Sequence, residues 1–310
     1  MSTPLFNRSV QVQISSPSVE GKPRMVAIPK HPEKEPLKID FSVSLLPVAM
    51  SSGESWVTLY NLNDQTQTFI KKQGDAVKLL VGYGNRLTTI FSGAIVGVDT
   101  AKAKSETESF TPQGVKLTKE HVSTLTQIIL GNQVFALSQA YFAQAYLGLV
   151  TVKQVITEAI GTFNLPYENL DSIPESPLIN YTFAGRTKDL FDQLLTPLGI
   201  QWFVDNATIK FTQKGQAMGC SVVYITPETG LIEFPAKTEK GVKVKTLFNP
   251  QIALGKLIGL NLNPATLTSD GRRTNQFIRE INGNYKVIEV KHEGSSYDGD
   301  MVTILEAVAL

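Results

Sequence analysis

The stretch from Trp56 to Val98 limits what this chain can fold into more than any other. Trp56-Val57-Thr58-Leu59-Tyr60-Asn61-Leu62 is rich in aromatic and β-branched residues, has no Gly or Pro inside it, and predicts a strand. Asp64 to Lys72 is polar apart from Phe69 and Ile70, and predicts a helix of about two turns with Asn63 or Asp64 as its cap. Gly74-Asp75 turns the chain into Ala76–Tyr83, and Gly84-Asn85 turns it again into Leu87–Val98, which together read as a hairpin. Gly82, Gly84, Gly93 and Gly97 stand at strand ends or mid-strand, where a missing side chain permits a bulge, a bend or a close backbone approach. A curved or closed sheet is the expectation. The block has no His and no Cys, and its acids and bases lie singly in turns or on strand faces, so it carries no chemistry.

Charge and cysteine content exclude several function classes. At 310 residues the chain has room for roughly two domains, each with an ordinary core. Charged residues are 18% of the chain and the formal net charge is +1, below what wrapping nucleic acid or lying on anionic lipid requires. Cys220 has no partner for an internal disulfide, and His31, His121 and His292 are far apart in sequence, which fits synthesis in a reducing cytoplasm. Met1-Ser2-Thr3-Pro4-Leu5 lacks the basic and apolar regions of a signal peptide, and the apolar run Tyr141–Val150 is too short to span a membrane. The expectation is a protein that is soluble when made and does not insert into a membrane.

Taken in order, Val10, Val12 and Ile14 alternate with polar residues, and after a Ser/Pro/Gly/Lys linker Met25–Ile28 forms another short apolar run. Pro29–Pro36 reads as a solvated loop, and Leu37, Ile39, Phe41, Val43 and Leu45 then give the cleanest period-two signal in the chain. Asp99–Lys119 is polar and predicts an exposed excursion, His121–Leu130 resumes a strand pattern, and Gly131–Leu149 fits neither period. Thr151-Val152-Lys153-Gln154 is a capping-box sequence that opens a helix with Val152, Val155, Ile156, Ala159, Ile160 and Phe163 on one face. After the Pro-rich loop Asp171–Pro177, a second helix starts near Thr187, buries Leu190, Phe191, Leu194, Leu195 and Leu198, and stops at Gly199. A hairpin follows, Ile200–Val204 and Thr208–Gln213. The last third predicts strands at Ser221–Ile225, Lys240–Leu247, Leu257–Leu262, Tyr285–His292 and Met301–Leu305. The expected organisation is a β domain over 1–130, a helix-containing α+β unit over 131–215 and a second β domain over 216–310, with no solenoid or propeller repeat.

Thr226-Pro227-Glu228-Thr229-Gly230-Leu231-Ile232 through Pro235, Thr238-Glu239-Lys240-Gly241-Val242-Lys243-Val244 and Leu247-Phe248-Asn249-Pro250 resemble the baseplate hub proteins of contractile-tailed bacteriophages. Leu59–Leu62, Val77–Tyr83 and Ile90–Gly93 are similar to the hub N-terminal barrel, Trp202–Asn206 to the hub hairpin, and Gly283–His292 with Thr303 to its end. The turn Asn206-Ala207-Thr208-Ile209 departs from the Asn-Gly form of many hubs. The resemblance implies a mainly β (α+β) chain with two tail-tube-like antiparallel barrel or sandwich domains. It further implies a homotrimer whose pseudo-sixfold ring joins the hexameric tail tube protein to the trimeric central spike protein, beside other baseplate proteins and the tape measure protein. DNA would pass through the bore without sequence-specific binding, and the protein would reside in the virion. The N-terminal part of type VI secretion spike proteins shares this plan.

The residues offer no catalytic, cofactor or metal site. No His pair has ligand spacing, Gly82-Tyr83-Gly84 lacks the helix that a phosphate cradle needs, and no Gly-x-Ser-x-Gly elbow is present. Lysozyme-like chemistry needs two facing carboxylates, and spacing nominates none of the 28 acids. A hub-associated peptidoglycan hydrolase, which would carry an extra catalytic domain, and another tail-tip adaptor are the alternatives to a purely structural hub. Lys237, Lys240, Lys243 and Lys245 form the densest basic patch, with Lys243 and Lys245 on one strand face and Val242 and Val244 on the other. A solvated outer face is the plain reading, and an intersubunit ion pair the sharper one. Lys243, Lys245, Leu231 and Ile232 are the candidate subunit-interface residues, and Trp56 and Trp202 read as core or interface anchors.

Overall fold

The computed structural model describes residues 7–16, 24–32, 37–46, 55–70, 75–110, 116–131, 137, 139–219, 221–262 and 281–310, with 105–121 described by backbone alone. Cys220, most of the linker after Ile14, the end of the Pro29–Pro36 loop, the turn at Gly74 and the side chain of His121 lie outside the described residues. The chain is mainly β with antiparallel sheets. It divides into two compact units, one of Met1–Ser42, Glu54–Gly131 and Gly294–Asp300, the other of Val43–Gly53, Asn132–Glu293 and Met301–Leu310.

In the first unit β1 (Arg8–Ser16), β2 (Arg24–Ile28), β3 (Ile39–Leu45), β4 (Ser55–Tyr60), α1 (Asp64–Ile70), β5 (Ala76–Tyr83), β6 (Arg86–Phe110) and β7 (Lys116–Gly131) follow in sequence. The spatial order of the strands is β3-β4-β7-β6-β5-β1-β2. Alternation sets the core: Val10, Val12 and Ile14 of β1 register with Val81, Leu79 and Val77 of β5, and all six are buried. Asn63 caps α1, its Oδ1 accepting from the Thr66 amide at 2.8 Å. Two bulges bend the sheet. Ile90 is left over where Leu79 and Leu80 face Phe91 and Thr89, and Val96 where Ile95 and Gly97 face Leu130 and Ile129. A Cβ on Gly82 would sit 1.9 Å from the Arg86 carbonyl oxygen, so the hairpin closes at Gly84-Asn85 only because that side chain is missing.

The polar excursion after Asp99 is the outer part of β6 and β7, paired in register from Asp99↔Gln127 to Phe110↔Lys116. The inward-facing half of its backbone groups pairs across a two-stranded ribbon, and the other half faces outward from it.

The second unit begins with β8 (Tyr141–Ala145), β9 (Leu149–Thr151), α2 (Val152–Ile160), β10 (Tyr167–Glu168), β11 (Pro177–Ile179), β12 (Thr182–Arg186), α3 (Thr187–Leu195), β13 (Ile200–Asp205) and β14 (Thr208–Gln213). β8 pairs with β12 and β9 with β11, so the part of Gly131–Leu149 that lacked a period forms antiparallel pairs with partners about 30 to 45 residues away in sequence, a separation that local pattern does not record. The Thr151 capping box forms, its hydroxyl accepting from the Gln154 amide and the Gln154 side chain accepting from the Thr151 amide. Val155, Ile156, Leu190, Phe191 and Leu195 are fully buried between α2, α3 and the β13–β14 hairpin. Phe191 centres this core: it meets Phe163 edge-on at 5.3 Å, Trp202 edge-on at 5.1 Å and Phe211 at 5.9 Å. The indole N–H of Trp202 donates to Asp192 Oδ1 at 3.0 Å, which settles that tryptophan as a core anchor with its polar tip satisfied. The hairpin turns through Asn206 and Ala207, both left-handed with φ of 48° and 61°, the geometry that an Asn-Gly pair adopts at less cost.

The unit ends in β15 (Val222–Ile225), β16 (Ala236–Lys237), β17 (Val242–Leu247), β18 (Leu257–Leu260), β19 (Gly283–Ser295) and β20 (Val302–Ala309). These run in the order β16-β17-β20-β19, with β18 also on β19 and β15 parallel to β18. His292 of β19 is buried, with Nδ1 2.9 Å from Thr303 Oγ1 and its ring against Phe248.

Candidate functional site

The four candidate interface residues lie together along β17. Thr226 and Thr229 cap each other around the short 3-10 turn Pro227–Thr229, and Gly230, at φ 111°, ends it and sends the chain back along the strand. The returning segment is held by three bonds: Leu247 N–H to Gly230 O at 2.8 Å, Thr246 Oγ1 to Gly230 O at 2.8 Å, and Ile232 N–H to Lys245 O at 3.0 Å. A Cβ on Gly230 would meet the Leu247 side chain at 3.1 Å, so this glycine answers both the left-handed turn and the tight approach. Leu231 and Ile232 therefore flank the second half of β17, and Ala236-Lys237 of β16 flanks the first half.

The pleat sorts the side chains. Val242 and Val244 are buried, Lys243 is exposed, and Lys245 is half-buried. Lys245 Nζ bonds Glu233 Oε1 at 2.6 Å within the same chain. Lys243 stands opposite Glu306 of β20 in register, and the Thr238 hydroxyl donates to Glu306 Oε1 at 2.8 Å. Ile232 and Phe234 are exposed beside these groups, which makes an amphiphilic strip along a sheet edge.

A second apolar surface went unread in the sequence. Leu147, Leu149 and Ile179 are 94%, 72% and 74% exposed, on the β9–β11 ribbon and the Gly148 turn that precedes it. The turn is pinned by Asn180, whose Oδ1 accepts from the Gly148 amide at 2.8 Å and whose own amide donates to Gly148 O. The available signal was Leu147-Gly148-Leu149 itself, apolar residues around a glycine, but its exposure depends on the distant pairing with Ile179. Among the described residues no group of three His, Cys, Asp or Glu side chains could hold a metal ion, and His31, exposed in its loop, lies in no such group. No helix among them is long and apolar enough to cross a membrane.

The fold is similar to that of solved tail proteins. The 43 kDa tail protein of prophage MuSo2 from Shewanella oneidensis matches 97% of this chain and 98% of its own at TM-score 0.54, with 9% identity. A tail protein from Neisseria meningitidis MC58 matches 98% and 97% at TM-score 0.52, with 8% identity. Residues 144–270 match the family model described as baseplate hub gp41. That span holds α2, α3, the β13–β14 hairpin and the candidate strip on β17. No curated protein matches by sequence.

Proposed function

We propose that this chain is the structural subunit of a phage baseplate hub and has no enzymatic activity. The observation that carries the reading is the hub match over residues 144–270, within a chain that follows the fold of tail proteins along nearly its whole length. The chain acts as a homotrimer. Each subunit contributes tube-like β domains at 1–130 and 216–310 around the helical unit at 131–215, so three chains present six similar faces to a sixfold tail tube and three to a spike. DNA passes through the bore, whose wall is neutral or acidic because each lysine held against a phosphate would add salt-dependent affinity. Basic side chains such as Lys243 and Lys245 face outward or into subunit contacts, where Leu231 and Ile232 supply the apolar part.

The test is a reconstruction of the native particle together with phage carrying Lys243→Glu and Lys245→Glu. Three copies per tail, and tails that fail to assemble with the doubly changed subunit, are expected. Six copies per tail would overturn the symmetry match. Normal assembly of the variant would remove β17 from the interface, and lysines turned to the bore axis would make the hub a DNA grip.

A further inference from the structure

The second unit contains a cavity of about 290 Å³ between the end of α3, strand β13, the turn at Leu254-Gly255 and strand β19. Its lining includes the apolar residues Trp202, Phe203, Leu254 and Val287 together with Lys286 and the solvent-exposed Lys214. Lys286 is the anomaly. It is only 4% exposed, and its Nζ has two neutral acceptors, Gln201 Oε1 at 3.1 Å and the Gln213 carbonyl at 3.4 Å. Among the described residues no carboxylate forms an ion pair with it. Asp192 is in the cavity wall, but its Oδ1 already accepts from Trp202 Nε1. Two cations against one engaged carboxylate leave the wall with net positive charge.

A buried ammonium bonded only to neutral acceptors is costly, and an anion in the adjoining space offsets that cost. The volume is at the small end of the range for ligand pockets, and its lining of aromatic and aliphatic surface with a few convergent polar groups is their usual chemistry. We propose that this cavity binds a small amphiphilic carboxylate, its carboxylate oxygen on Lys286 Nζ and its apolar body against Trp202 and Phe203. The site is independent of any role in a tail. Burial holds the Lys286 ammonium down to about 8, so the cation that receives the ligand is lost at a pH where a surface lysine keeps its charge.

The experiment uses the full chain and sodium benzoate as probe, followed by calorimetry and by saturation-transfer NMR at constant ionic strength. Saturable binding is expected below pH 8, weakening by up to about tenfold per pH unit above it. Lys286→Met should weaken binding by at least about tenfold, a loss of the size of one charge-assisted contact, while benzyl alcohol, which lacks the charge, should bind neither protein. Thermal unfolding of the variant reports whether it folds. If it does not, the pH series on the unchanged protein decides alone. Absence of saturation at millimolar benzoate, affinity equal on both sides of pH 8, or full affinity in folded Lys286→Met would each overturn the site.

Discussion

The first unit and the helix-bearing part of the second hold themselves together by different means. In the first, small aliphatic side chains recur on alternate positions of long strands, and Val10, Val12, Ile14, Val77, Leu79 and Val81 share the burial almost equally. In the second, one phenylalanine touches three other rings, and two short helices and a hairpin converge on it. A register-built sheet distributes its stability over many exchangeable residues, and its shape is set by bulges and glycines. An aromatic cluster concentrates stability in a few side chains whose loss leaves a large void.

The largest expected effect tests that concentration. Phe191→Ala should cost about 3–5 kcal/mol, and Ile14→Val in the first unit about 0.5–1.5 kcal/mol, both read from urea unfolding midpoints. A loss at Phe191 no larger than the loss at Ile14 would break the contrast.

The second effect is a pH dependence in the second unit. Burial holds the His292 imidazole down to about 4, against 6.5 in an open chain. Above 6.5 the ring is neutral in both states and nothing is lost. As pH falls from 6.5 to 4 the unfolded chain takes up a proton that the folded one refuses, so stability should drop progressively by about 3 kcal/mol over that window. Unfolding curves across the window should flatten in His292→Gln; an unchanged slope would clear His292 of the effect.

The smallest effect has the opposite sign. Ala207 holds a left-handed φ of 61° in the β13–β14 turn, and Ala207→Gly should stabilise the unit by about 1 kcal/mol, seen as a raised thermal midpoint. A lowered midpoint would mean that the Ala207 side chain makes contacts outweighing its backbone cost.

These elements also mark what was legible in the sequence. The alternation through Ile39, Phe41 and Val43, the Thr151–Gln154 box and the Gly84-Asn85 turn are local signals, each completed within a few residues, and the structure places strand, helix and turn where they predict. The motif around Gly230 was legible as a resemblance, and its physical reason, a left-handed residue packed on Leu247, needs coordinates. The ribbon that exposes Leu149 and Ile179 was not legible, because each strand is too short to show a period alone. Lys286 was hidden for another reason. It follows Tyr285 in an alternating strand, where its place reads as the solvated face, and only the hairpin packed over β19 at Gln201 and Gln213 turns that face into an interior.

The outer ends of β6 and β7 behave unlike either core. From Ala103↔Ser123 to Phe110↔Lys116, over about 26 Å at the usual strand rise, each strand has no partner among the described residues but the other. Two strands alone are marginal in water, since they lack the third strand or packed layer that makes opening cooperative. Backbone amides there exchange with solvent through local opening, at a free energy that is a fraction of the sheet's own. The arm can therefore gain or lose residues in pairs while the global unfolding midpoint of the unit behind it hardly moves.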